Sequence, residues 1–383
     1  MSVNILAIDT SCDDTSVAVV MGQEVLSNVV ASQNQIHRQF GGVFPTLAKQ
    51  AHRENLAPAI ALALRQARAT WVDIAAIAVT VGPGLAPALE VGLAKAKELA
   101  RKHQKPLISV NHIEAHALSP LAVPAGRALA ALPTPKLPAL AIVVSGGHSE
   151  FILVEKIGYY QRLGHTIDDA AGECLDKVGR LLNLGYPAGA LIEKFAKKGN
   201  QDRFTLPRAM TAQTNFDLSF SGIKTAARNL INELENQDQL DQQATYDLAA
   251  TLQATVFEQI AYKLERILLS PNLEKRVYPS RNFLRHLQPG QAPVTTISEV
   301  WLGGGVAANS NLRQILRQTL RQYAKQSGKK IPLRVPYSKK LCADNAAMIG
   351  LVAGYQLERG EVADLESTDR QPNLKISTKN VLH

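Results

Sequence analysis

"VNILAIDTSCDDTSVAVVMGQEVLSNVVASQ", residues 3–33, alternates short apolar runs with polar breaks. Runs of this length, rich in Val and Ile and bounded by turn formers, read as strands. The stretch predicts a strand, a polar turn at residues 10 to 15, and two more strands. Working outward, Leu47, Leu56, Ile60 and Leu64 fall at helical spacing between Pro45 and Gln66. "IAAIAVTVGPG" (74–84) then reads as a buried strand, "ALEVGLAKAKELARKH" (88–103) as a helix, and "PLISVNH" (106–112) as a strand. The Pro- and Ala-rich "SPLAVPAGRALAALPTPKLPAL" (119–140) is the candidate boundary or crossover. After it the opening pattern restarts, because "LAIVVSGGHSEFILVEK" (140–156) is again strand, Gly-rich turn, strand. The same opening in both halves predicts a duplicated α/β architecture without a residue-level repeat.

The remainder predicts a mostly helical polar segment over about 168–265 and an exposed basic loop over 271–298. A strand from Glu299 opens a helix running through Tyr323. A last strand and loop lead to an Ala-rich helix capped by Asp344 or a neighbour.

With 383 residues, 46% of them hydrophobic, the chain is long enough for two or three domain-sized units. No apolar run reaches the roughly 18 residues of a spanning helix, and the N-terminus enters a strand without a basic leader. A cytoplasmic protein with no membrane contact is the expectation. Three scattered cysteines, Cys12, Cys174 and Cys342, form no disulfide framework. A net charge of +9 favours a polyanionic partner, since each cation set against a phosphate releases a counterion.

Several stretches can carry chemistry. "NHIEAHALSP" places His112 and His116 four apart, on one face of a helix, where two imidazoles can meet one ion. The zinc-protease helix needs Glu directly after the first His, and Ile113 stands there instead. Solvated or packed helix residues explain the pair equally. Two histidines and a carboxylate such as Asp344 in "CADNAAMIG" would leave open positions on a metal, a set suited to Fe(II) and compatible with Zn. The loops "DTSCDDTS" (9–16), "VSGGHSE" (144–150) and "GGGVAANSN" (303–311) are each either tight turns or places where backbone amides meet an anion. "TIDDAAGECLDKVGRLL" gathers Asp168, Asp169, Glu173 and Asp176, with the last three on one helical face, which reads first as a solvated acidic face. "GYPAGALIE" with Gly185, Gly189 and Glu193 predicts a close turn. "FDLSFSGIKTA" sets Ser219 and Ser221 near Lys224, as a serine-lysine pair or a plain polar turn.

Taken in order, "IDTSCDDTSVAVV", "GGVFPTLAKQAH", "TVGPGLAPALEVG", "NHIEAHALSP", "VSGGHSE", "TIDDAAGECLDKVGRLL", "GYPAGALIE", "FDLSFSGIKTA", "GGGVAANSNLR" and "CADNAAMIG" resemble the tRNA N6-adenosine threonylcarbamoyltransferase family over nearly the whole chain. The resemblance implies the two-lobed α/β fold of actin, sugar kinases and Hsp70, with a ligand cleft between duplicated lobes. Residues 1–118 would form the N-terminal lobe, joined by the C-terminal helix at about 343–383, and residues 137–342 the second lobe.

It also implies transfer of threonylcarbamoyl from threonylcarbamoyladenylate to N6 of the adenosine 3′ of the anticodon, with AMP leaving. By that likeness His112, His116 and Asp344 are metal ligands, for iron and sometimes zinc. Val143, Val144, Ser145, Gly146, Gly147, Asp176, Gly189, Glu193 and Asn309 would contact the adenylate, Glu193 replacing the family's usual aspartate. Asp13 is the nearest motif candidate for a base. Expected partners are tRNA, an inactive paralogue and a small P-loop ATPase, with a homodimer as a further option. Two rivals are a metalloprotease, disfavoured by the displaced glutamate, and a non-catalytic scaffold, disfavoured by the retained ligand set.

Overall fold

The computed structural model describes residues 3–38, 40–126, 134–210, 213–270 and 295–376. The basic loop expected over 271–298 lies almost wholly outside these residues. The chain divides into two compact units: residues 1–135, 156–160 and 335–383, and residues 136–155 and 161–334.

The first unit is organised by a six-stranded sheet. Its strands are β1 (Asn4–Asp9), β2 (Asp14–Met21), β3 (Glu24–Ser32), β4 (Ile74–Gly82), β5 (Leu107–Asn111) and the short β6 (Val123–Pro124). The order is β5-β4-β1-β2-β3-β6, with β1 antiparallel to β2 and parallel to β4. Helix α1 (Asn34–Arg38) follows β3, and α2 (Pro45–Ala67) and α3 (Ala86–His103) bury one face of the sheet. Leu6, Ile8, Val17 and Val19 meet Leu56, Ile60, Leu93 and Leu99 there. Strand side chains alternate between faces, so Ala7 and Val20 look the other way. Gly350 packs on those two, and a Cβ there would come within 2.8 Å of Val20 Cγ2. The short helix α4 (His112–Leu118) follows β5 without an intervening loop, because the Asn111 side chain accepts from the Ile113 amide at 2.8 Å and the Glu114 amide at 3.2 Å.

The second unit carries a five-stranded sheet. Its members are β7 (Ala139–Val144), β8 (Ser149–Lys156), β9 (Tyr159–His165), β10 (Glu299–Gly303) and β11 (Leu333–Arg334), in the order β11-β10-β7-β8-β9. As in the first unit, an antiparallel hairpin, β7 with β8, lies beside a parallel neighbour, β10. The strand-turn-strand opening read in both halves is thus realised twice.

The helices are α5 (Ala171–Leu181), α6 (Gly189–Ala196), α7 (Ser221–Asn236), α8 (Gln242–Leu268) and α9 (Ser310–Ser327). Helix α9 runs beyond the expected end at Tyr323 to Ser327, where Gly328 at φ 73° closes it. The segment expected to be mostly helical is interrupted between α6 and α7. No helix among the described residues is long and apolar enough to cross a membrane.

Candidate functional site

The last helix of the described residues, α10 (Ala346–Glu358), decides between Asp344 and its neighbour as the cap. Its cap is Asn345, whose side chain accepts from the Met348 amide at 3.2 Å, so Asp344 is released from capping. Asp344 turns instead to α4. Its Oδ1 lies 3.1 Å from His116 Nε2 and 3.4 Å from His112 Nε2. The imidazoles stand edge to face with centroids 4.5 Å apart, and one donor atom from each of the three residues falls within 4.8 Å of the others. Two imidazole Nε2 atoms and a carboxylate oxygen aimed at one point fit a divalent ion with positions left for substrate or water. His116 is fully buried and the His112 side chain is 6% exposed, whereas that of Asp344 keeps 25%, so the set opens on the Asp344 side.

The electrostatics follow from this packing. Burial opposes a charge on His112, yet Asp344 and then Asp9 outweigh it and push the imidazole up to about 9. Burial and the neighbouring His112 push His116 down. Asp344 is held well below the usual carboxylate range: burial works against its charge, but His112 and His116 prevail.

The loop after β1 belongs to the same unit. His52 fastens it, with Nε2 3.0 Å from the Cys12 carbonyl and Nδ1 2.7 Å from Thr15 Oγ1. Burial, then the charge of Asp344, raises the Asp13 carboxyl, and burial pushes that of Asp14 up to about 7. Glu114 points away from the ion set and accepts from the Tyr160 hydroxyl at 2.7 Å. That occupation removes it from the role a protease base would need.

In the second unit, Val143 and Val144 end β7 in the core, while Ser145 begins the turn. The Ser145 amide donates to the His148 carbonyl at 2.8 Å, and the His148 amide donates to Ser145 Oγ at 3.1 Å. Gly146 and Gly147 are exposed, and a Cβ on either would meet nothing within 4 Å. No internal contact demands glycine there. Gly172 of α5 and Gly304 are the opposite case: a Cβ would come within 2.6 Å of the Ser145 carbonyl oxygen and 2.3 Å of that of Val144, respectively. Two of the three small-residue loops therefore meet in this unit, pressed against the start of α5.

The other expected contact residues have internal work. Asp176 Oδ1 accepts from the amides of Ala188 at 2.8 Å and Gly189 at 3.1 Å. Glu193 Oε1 accepts from the Ser310 amide at 3.0 Å and from its hydroxyl. Asn309 caps α9 through the amides of Asn311 and Leu312, and its Nδ2 donates to Gln253 Oε1 at 2.7 Å.

One reading is corrected, and one pair of alternatives is decided. Asp169 precedes α5 and does not lie on it; it pairs with Lys224 at 2.6 Å and at 2.9 Å with Lys177, which Glu173 also holds at 2.8 Å. Ser219 and Ser221 form no serine-lysine pair. Both hydroxyls donate to Asp168 Oδ2, at 2.6 and 2.7 Å, and the Phe220 amide donates to Oδ1 at 2.8 Å. Asp168 as the anchor of α7, and Asp9 behind His112, were not legible as such; the only signal was a carboxylate beside each small-residue motif.

The family model described as tRNA N6-adenosine threonylcarbamoyltransferase matches residues 24–351. A protein of that name from a Nostoc species is 41% identical over 367 residues, covering 94% of each chain. One from Enterococcus faecalis is 39% identical over 375 residues, covering 98% of this chain and 96% of its own. Among solved structures, full-length HypF in its phosphate- and nucleotide-bound form aligns with a TM-score of 0.51 at 13% identity, over 94% of this chain and 56% of HypF. At that identity the likeness speaks to the fold alone, which is of the actin, sugar-kinase and Hsp70 type.

Proposed function

The chain belongs to the tRNA N6-adenosine threonylcarbamoyltransferase family, and on that premise we propose that it moves the threonylcarbamoyl group of threonylcarbamoyladenylate to N6 of the adenosine 3′ of the anticodon, in tRNAs that read codons beginning with A. The observation that carries the chemical part of this reading is the meeting of Asp344 with His116, 228 residues earlier in the chain, and with its helix neighbour His112.

The substrate is a mixed anhydride, so the step is acyl transfer. The N6 nitrogen attacks the carbonyl carbon of the threonylcarbamoyl group, a C–N bond forms, and the anhydride C–O bond breaks with its electron pair leaving on AMP. An ion held by His112, His116 and Asp344, with iron preferred and zinc compatible, would supply a Lewis acid that polarises the threonylcarbamoyl end.

The rest is done by the chain. Val143 and Val144 end β7 and lead into the turn Ser145, Gly146 and Gly147 that receives the adenylate, and the open space over Gly146 and Gly147 supports that role because it lets a phosphate approach the backbone. Asp176, Gly189, Glu193 and Asn309 hold the α6 and α9 starts that border the nucleotide. Asp13 takes the proton that N6 loses. Its carboxyl, raised by burial, is a better proton acceptor than an ordinary surface carboxylate.

The target base lies in an unpaired loop, where extrusion costs less than from a duplex. The net charge of +9 favours the tRNA backbone. An inactive paralogue and a P-loop ATPase complete the cycle in the cytoplasm.

The test is metal removal. Chelator-stripped protein, supplied with the accessory proteins, pre-made adenylate and unmodified tRNA, should transfer no label until Fe(II) is restored under anaerobic conditions. Full transfer by the stripped protein would overturn the metal part of the proposal.

A further inference from the structure

Two buried atoms without partners face each other behind the histidine pair. Asp9 closes β1 with its side chain shut off from solvent. Its Oδ1 is occupied, accepting from the Ser11 amide at 3.1 Å and the Thr80 hydroxyl at 2.8 Å. Its Oδ2 has no hydrogen-bond partner, and neither has His112 Nδ1. The two lie 3.8 Å apart, on the side of the ring opposite the Nε2 that faces Asp344. A carboxylate oxygen sealed in the interior is costly unless a donor reaches it, and a ligating histidine nearly always gives its second ring N–H to a carboxylate, carbonyl or water.

We propose that Asp9 is a positioning residue of the ion site: its Oδ2 accepts the Nδ1–H of His112 and so keeps the Nε2 lone pair free for a metal. The inference rests on the metal reading above. The separation exceeds the roughly 3.2 Å limit of a hydrogen bond, so the ring must approach by about 0.6 Å when it engages an ion. Asp9 has little freedom to move, because Ser11 and Thr80 hold its other oxygen. The two histidines are not equivalent in this respect. Among the described residues no carboxylate pairs with His116 Nδ1, although that atom is buried as well.

The discriminating substitution is Asp9→Asn. The amide keeps a carbonyl oxygen for Ser11 and Thr80 but sets an NH2 group against His112 Nδ1. That arrangement demands a lone pair on Nδ1 and places the proton on Nε2, where it blocks ligation. Zinc affinity of the metal-stripped full chain, measured by competition with a chromogenic chelator, should fall about 10–100-fold, the usual loss for such an outer partner. Circular dichroism should show that the metal-free variant remains folded, at a melting temperature lowered by loss of the charge beside His112.

Thr80→Val serves as the structural control. It removes a hydrogen bond to Asp9 while leaving Oδ2 in place, and zinc affinity should stay within about threefold. A second readout needs no substitution. Protein labelled with 15N-histidine and loaded with zinc should show His112 protonated at Nδ1. Wild-type zinc affinity in Asp9→Asn, an equal loss in Thr80→Val, or a bare Nδ1 on His112 would each overturn the assignment. Wild-type protein that binds no zinc would overturn the metal reading itself, a failure visible before any residue is changed.

Discussion

Loading an ion onto His112, His116 and Asp344 should expel about one proton at pH 7, and the origin of that proton can be worked out group by group. Asp344 is already ionised, because His112 and His116 hold it well below the carboxylate range against the effect of burial. His116 is already neutral, pushed down by burial and by the charge on His112. His112 alone carries a removable proton, since Asp344 and Asp9 overcome burial and push it up to about 9. A metal needs its Nε2 lone pair, so that proton must leave. Between pH 9 and pH 7 the competition amounts to two units at about 1.36 kcal/mol each, roughly 2.7 kcal/mol or a hundredfold in affinity.

The assay is calorimetric titration of the stripped protein with zinc in two buffers of different ionisation enthalpy, together with chelator competition across the pH range. The logarithm of the binding constant should rise with a slope near one and flatten above about pH 9. In the metal-free protein the sign is reversed. A folded pKa raised above the ordinary value near 6.5 contributes stability that is complete below about 6.5 and lost as pH rises through about 9. A pH-independent binding constant, or two protons released at pH 7, would rule out His112 as the one protonated ligand.

Other substitutions separate packing from ligand contact. Gly304→Ala should destabilise the protein by about 1–3 kcal/mol, since its φ of 93° disfavours a side chain and a Cβ would press to 2.3 Å from the Val144 carbonyl oxygen. Gly147→Ala has open space instead and should melt within about 1 °C of wild type, while adenylate affinity, measured by equilibrium dialysis, falls at least about tenfold. Asp168→Ala removes the acceptor shared by Ser219, Phe220 and Ser221. Because Asp168 is exposed, the expected loss in urea unfolding is about 1–2 kcal/mol. Lys263, fully buried, is pushed down to about 8 by burial and Arg266. Above that pH the unfolded chain holds more protons than the folded one, so stability rises toward about 10.5, and Lys263→Met should flatten that rise in a pH series of denaturant melts.

How far the sequence could be read depended on the range of the interaction. The strands around "DTSCDDTS" were visible because alternation and turn residues are local signals, and the histidine pair because a helix puts i and i+4 side by side. Asp344 was ambiguous from local signals, since Asp and Asn both cap helices and only the folded backbone gives the cap to Asn345. The acidic stretch misled for a related reason. With the N-cap at Ala170, Asp169 falls off the helix that its spacing implied. Asp9 and Asp168 stayed hidden because their meaning lies in partners far along the chain, Thr80 and His112 for one and Ser219 to Ser221 for the other. No periodicity records a contact across 71 or 51 residues.

The most direct test of the central claim is a single-turnover transfer of labelled threonylcarbamoyl from pre-made adenylate to unmodified tRNA, with the accessory proteins present. Wild type would be compared with His112→Ala, His116→Ala and Asp344→Ala, and the modified nucleoside identified by mass spectrometry. Wild type should place label on N6 of the adenosine 3′ of the anticodon, and each variant should lose at least about a hundredfold. Transfer at the wild-type rate by all three variants would mean that His112, His116 and Asp344 hold no ion the reaction needs.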